Sequence, residues 1–146
     1  MAAREHGMYR SARMWRSALC CAALALVVGC GPKKVESPLE KAPPSEIARA
    51  RELSASGDVR GAQSAYEAFI IGNQGTTEAD LARLELGTLD ADIGRCQDGV
   101  PHLEQAQSSA DHAIALRASL QLGACQLQLG DPERALSTVE PLAGER

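Results

Sequence analysis

Gly57, Gly94 and Gly130 stand 37 and 36 residues apart, and the sequence around each keeps one register. Five residues after each comes a very small residue (Ala62, Gly99, Ala135), and nine after comes a large apolar one (Tyr66, Leu103, Val139). Twelve after are Phe69, Ala106 and Leu142; seven before are Ala50, Gly87 and Gly123. A pattern that holds on both sides of the same glycine restricts the fold to one supersecondary unit used three times. Glycine reaches the left-handed backbone conformation without a Cβ clash, so each is read as the turn between two helices. The small residues let the paired helices approach where they cross, and the large ones fill the space beside the crossing. After residue 29 the only aromatics are Tyr66 and Phe69, so Ala and Leu, both strong helix formers, must supply the core.

Helix starts can be read in the same stretch. Asp131-Pro132 offers an N-cap followed by a proline at the first helical position, where its missing N–H costs nothing. Thr77 with Asp80, and Ser108 with Asp111, resemble capping boxes. The expected fold is all-α: three antiparallel helix pairs in a domain over 45–146, with units at about 45–72, 77–108 and 109–146. Such units bury their apolar faces mainly against neighbours, so about three are needed for stability. No polar capping helix follows Leu142 before Arg146. The last unit is therefore expected to expose an apolar stripe including Val139 and Leu142, to be covered by another chain or by more of a longer protein.

The pattern is similar to that of the tetratricopeptide repeat family. Leu86-Gly87 and Leu122-Gly123 match the Leu-Gly of its first helix, Gly57-Asp58 and Gly130-Asp131 its turn, and Ala62, Tyr66 and Ala135 its second helix. The first-helix Trp and Tyr are absent and the period exceeds the family's, the extra residues fitting inter-unit loops such as 72–76. What the resemblance implies is an α-solenoid whose first helices line a concave groove for an extended peptide or a partner's helix. By repeat register Arg51, Leu84, Thr88, Asp92, Arg117 and Gln128 would face that groove.

Ahead of the repeats lies a segment of another character. Arg4, Arg10, Arg13 and Arg16 precede an uncharged run of a dozen residues, Ser17 to Val28. That length suits the apolar core of a signal peptide and is too short to span a bilayer, which takes about 20 residues. The run closes on Val27-Val28-Gly29-Cys30, which resembles the lipobox of bacterial lipoproteins. In that family the peptidase cuts between the positions held here by Gly29 and Cys30, and the Cys thiol carries a diacylglyceryl group with palmitate-like chains. Two or three acyl chains anchor stably where one binds marginally. Residues 1–29 are thus expected to be a helical signal peptide, with Met8 or Met14 as alternative starts. Residues 30–44, polar and proline-bearing, are expected to be a disordered tether. Gly31 in place of an aspartate favours, by the same resemblance, the periplasmic face of the outer membrane.

The whole chain carries −4, and the first 29 residues hold four Arg against one Glu; −4 less +3 leaves −7 for the remainder. Nucleic acid requires clustered positive charge, and none is present. Beyond the leader and Cys30, the cysteines are Cys96 and Cys125. They fall on adjacent helices that should touch, as a structural disulfide or as two buried thiols. His102 and His112 lack metal-ligand spacing, and no nucleophile, phosphate-loop or zinc-protease motif occurs. Asp90 and Asp92 read as a solvated helix end, since i and i+2 face apart. No catalytic residue, metal, cofactor or small-molecule substrate is expected. The function expected is a membrane-anchored, non-enzymatic scaffold for protein partners in the cell envelope. The alternative is the N-terminal module of a larger ligand-binding lipoprotein, such as an activator of peptidoglycan synthases.

Overall fold

In the computed structural model residues 43–144 are described; the leader, Gly29, Cys30 and the tether up to residue 42 lie outside them. Six α-helices follow one another: α1 (Ser45–Ala55), α2 (Val59–Gly72), α3 (Thr77–Asp92), α4 (Cys96–Gln107), α5 (His112–Gln128) and α6 (Pro132–Val139). A 3-10 helix, Glu140–Gly144, follows α6, and the described residues contain no strand. The chain is all-helical here. Each helix packs on the next, and α3 also meets α5.

The three glycines make one turn three times. Gly57, Gly94 and Gly130 have φ of +83°, +78° and +82°. In the first turn the Gly57 N–H donates to the Ser54 carbonyl and the Asp58 N–H to Leu53. The same two bonds join Gly94 to Ala91 and Arg95 to Asp90, then Gly130 to Leu127 and Asp131 to Gln126. This paired closure satisfies carbonyls that a helix end otherwise leaves open. In two turns the residue after glycine is an aspartate that caps the next helix, Asp58 accepting from the Gly61 N–H and Asp131 from the Arg134 N–H, both at 3.0 Å. Arg95 stands there in the middle turn, and α4 begins without a side-chain cap.

Two helix starts differ from the sequence expectation. Thr76, one residue earlier than Thr77, caps α3 by accepting from the Ala79 N–H at 3.1 Å, and Asp80 instead binds Arg83. Asp111 caps α5, accepting from Ala113 and Ile114, whereas Ser108 ends α4. Neighbouring residues of capping type compete for these positions, and their order along the chain does not choose between them. The last helix also stops at Val139, because Pro141 has no N–H with which to continue it.

Small residues meet at the crossings, as their register suggests. Ala50 and Ala62 are wholly buried. Between α3 and α4 the approach is backbone to backbone: a Cβ on Gly99 would lie 2.7 Å from the Gly87 carbonyl oxygen. A Cβ on Gly123 would lie 2.8 Å from Val139 Cγ1. Val139 is thereby occupied within its own pair, and both it and Leu142 are half-buried. The exposed large apolar residues of the last pair are instead Leu120, Leu127, Leu129 and Leu136.

Candidate functional site

Of the six residues assigned to a groove, Leu84 is misassigned. It is 3% exposed, in the register position of the wholly buried Ile47, and belongs to the core. Thr88 is half-buried, and its hydroxyl donates to the Leu84 carbonyl at 2.8 Å, so its donor is used inside α3. Asp92, Arg117 and Gln128 are exposed. Arg51 is exposed too, but its guanidinium is engaged.

That engagement is the polar centre of the fold. Arg51 Nε donates to Glu85 Oε2 at 2.9 Å, and Nη2 donates to Oε1, a two-pronged grip on one carboxylate. The Tyr66 hydroxyl donates to the same Oε2 at 2.9 Å. One carboxylate on α3 therefore holds α1 through Arg51 and α2 through Tyr66. The hydrogen bond to Glu85 pushes the Arg51 pKa up, and burial, then the Glu85 charge, pushes the Tyr66 phenol well up. Tyr66 reads in the sequence only as the large residue beside a crossing. Glu85 carries no signal there, since its partners lie 34 and 19 residues away.

Asp90 is not part of a solvated helix end. It is buried, and its carboxylate accepts from Gln63 Nε2 of α2 at 2.5 Å; only Asp92 is solvated. The equivalent residue of the last pair, Gln126, is also buried and accepts from the Thr138 hydroxyl at 2.9 Å. These bonds offset the cost of burying polar groups.

Cys96, first residue of α4, and Cys125, in the last turns of α5, are both buried, with Cα atoms 5.2 Å apart, and are joined as a disulfide. Gln128 Oε1 lies 3.1 Å from the Cys96 sulfur. A cleft of about 620 Å³ opens between α1 and α2, floored by Leu53, Ala65 and Phe69 and rimmed by Glu46, Arg49 and Asp58. A second, of about 490 Å³, lies over Arg83. Among the described residues no three His, Cys, Asp or Glu gather to hold a metal ion. No helix among them is long and apolar enough to cross a membrane.

What this arrangement offers is surface. Asp92, Arg117 and Gln128 are reachable side chains on the first helices of the second and third pairs, and Glu85, Asp90 and the disulfide fix those helices in place. No protein family, curated protein or solved structure matches the chain.

Proposed function

We propose that the chain is a lipoprotein, acylated at Cys30 after cleavage behind Gly29, that carries a tetratricopeptide-like stack on the periplasmic side of the outer membrane. There it acts as a non-enzymatic scaffold for other envelope proteins. The observation that carries the scaffold reading is one turn, with identical hydrogen bonding, built three times at the repeat interval, each followed by a helix that crosses its predecessor at small residues. Repetition of this kind produces extended faces suited to peptides and helices. The anchor reading rests on the basic residues, the short apolar run and Val-Val-Gly-Cys.

Replacing Cys30 with Ser should abolish acyl labelling and move the chain from the membrane fraction to the soluble one. Unchanged processing and attachment would remove the anchor from this reading. A photo-cross-linker at Arg117, in intact cells, is expected to capture an envelope protein, and charge reversal at Asp92 to weaken that capture. Capture that ignores Asp92 and falls equally on a cross-linker at Arg60, an exposed residue of α2, would argue against these first helices as the docking face.

A further inference from the structure

The cleft between α1 and α2 lies on the side of the first pair that, in the second pair, meets the pair before it. Arg49, Glu52 and Leu53 hold the register positions of Leu86, Leu89 and Asp90. Those three are buried, and Gln63 of the first pair reaches across to Asp90. In the first pair Arg49 and Glu52 are exposed, and Leu53 is half-buried in the floor of the cleft with Ala65 and Phe69. An open apolar floor marks a contact site. The charges beside it decide what can cover it. A second helix pair laid across α1 would take Arg49 and Glu52 out of water without partners, at a high cost. A single extended strand between the rims covers the floor and leaves both charges solvated.

The chain carries such a strand directly ahead of α1. Residues 35–42 (VESPLEKA) lie outside the described residues and run into Pro43, three residues before Glu46 at the mouth of the cleft. Val35 and Leu39 are the only large apolar residues between Cys30 and Ile47. Pro38, Pro43 and Pro44 fix their own φ and bias the residue before each toward extended backbone, so docking has less freedom to remove. Extended proline-bearing segments dock in grooves lined by aromatic side chains, and Phe69 supplies one here. Leu39 stands seven residues before Glu46, a reach of up to about 23 Å. From Glu46 to Leu53 the helix rises about 10 Å. The segment is therefore long enough to bend back once and set Leu39 on the floor. The rim offers Arg49 to Glu40, and Glu46 and Asp58 to Lys41.

We propose that residues 35–42 fold back into this cleft, with the Leu39 side chain on Leu53, Ala65 and Phe69, and so cap the first end of the helical stack. The contact stands with or without a lipid on Cys30.

Trp15 is the single tryptophan of the chain, which makes the contact measurable. In a Trp15→Phe background, Leu39→Trp gives the full-length chain one indole, whether or not residues 1–29 are retained. A cleft of about 620 Å³ has room for the larger ring. Its emission is expected to be blue-shifted from that of an indole in water, with acrylamide quenching severalfold weaker. Ala65→Asp, in the floor, should return both readings to those of an exposed indole. Ala68→Asp, at an exposed position lining the same cleft, should do so in a second variant. Unchanged helical circular dichroism separates either effect from unfolding. Both readings should survive Cys30→Ser and dilution. An indole exposed in the intact cleft overturns the proposal and leaves the cleft to another polypeptide. So does a buried indole that ignores both aspartates. Burial lost with Cys30→Ser, which means lipid or detergent, or lost on dilution, which means the cleft of a second copy, overturns it equally.

Discussion

The first and middle helix pairs share a turn but are held together by different means. In α1 and α2, two wholly buried alanines occupy the crossing positions of the register, Asp58 caps the second helix, and the pair is tied onward through the Glu85 carboxylate. In α3 and α4 the cap is missing, the crossing is glycine on glycine, and α4 is bonded covalently to α5. A local signal absent at Arg95 is made up by close approach and by a cross-link. The turn specifies the hairpin, and the strength of each hairpin comes from contacts beyond it.

The largest change should follow from removing that cross-link. Cys96→Ala with Cys125→Ala frees a loop of 29 residues, and chain entropy puts the loss at about 3.5 kcal/mol. Chemical denaturation of oxidised and doubly substituted chains measures it, and an equal midpoint would mean the bond does not hold the pairs together. Gly99→Ala comes next. Helix propensity gains about 1 kcal/mol, but the new methyl meets a backbone oxygen that cannot step aside, an overpacking cost of about 3 kcal/mol; the net loss is about 2 kcal/mol. Ala62→Gly, the reverse change in the first pair, should also lose about 2 kcal/mol, half on propensity and half from the buried methyl it removes. A Gly99→Ala chain as stable as the parent would erase the distinction between the crossings.

Tyr66→Phe removes one of the bonds between the first pair and Glu85 and should cost about 1 kcal/mol. Its effect should depend on pH. The phenol pKa is raised in the folded chain, so its contribution is complete below about pH 10, where an unfolded tyrosine begins to ionise, and is lost as pH rises further. The phenylalanine variant should show less of this alkaline loss. Smallest is a pair of cap exchanges: Asp58→Ala should cost about 1 kcal/mol, and Arg95→Asp should add about 0.5 kcal/mol by giving α4 the cap it lacks. If Arg95→Asp destabilises, the middle turn tolerates no cap, and the comparison changes meaning.

Much of the helical plan is visible in the sequence because its determinants are local. Gly57, Gly94 and Gly130 announce the turns, and Ala50, Ala62, Gly87 and Gly99 mark crossings at fixed distances from them. Errors fall where the deciding partner is remote. Register alone puts Leu84 and Thr88 on an open face, but whether a face is open depends on which helices lie beside it. Asp90 resembles a solvated helix end until Gln63, from the preceding pair, reaches it. Glu85 has the same difficulty: a carboxylate on a helix looks like any surface charge until two donors from other helices arrive. The exposed Leu120 is hidden in the other direction, since in sequence it looks like its covered counterparts Ile47 and Leu84.

The bond between Cys96 and Cys125 also sets how the molecule yields to mechanical load. A pull applied between residues 43 and 144 meets α1 and α2 first at one end, and there only noncovalent contacts resist. That hairpin should peel away at the lower force. The segment from 96 to 125 cannot pay out, which shortens the fully stretched chain by about 100 Å. Reducing agent should return that length in a single-molecule extension trace.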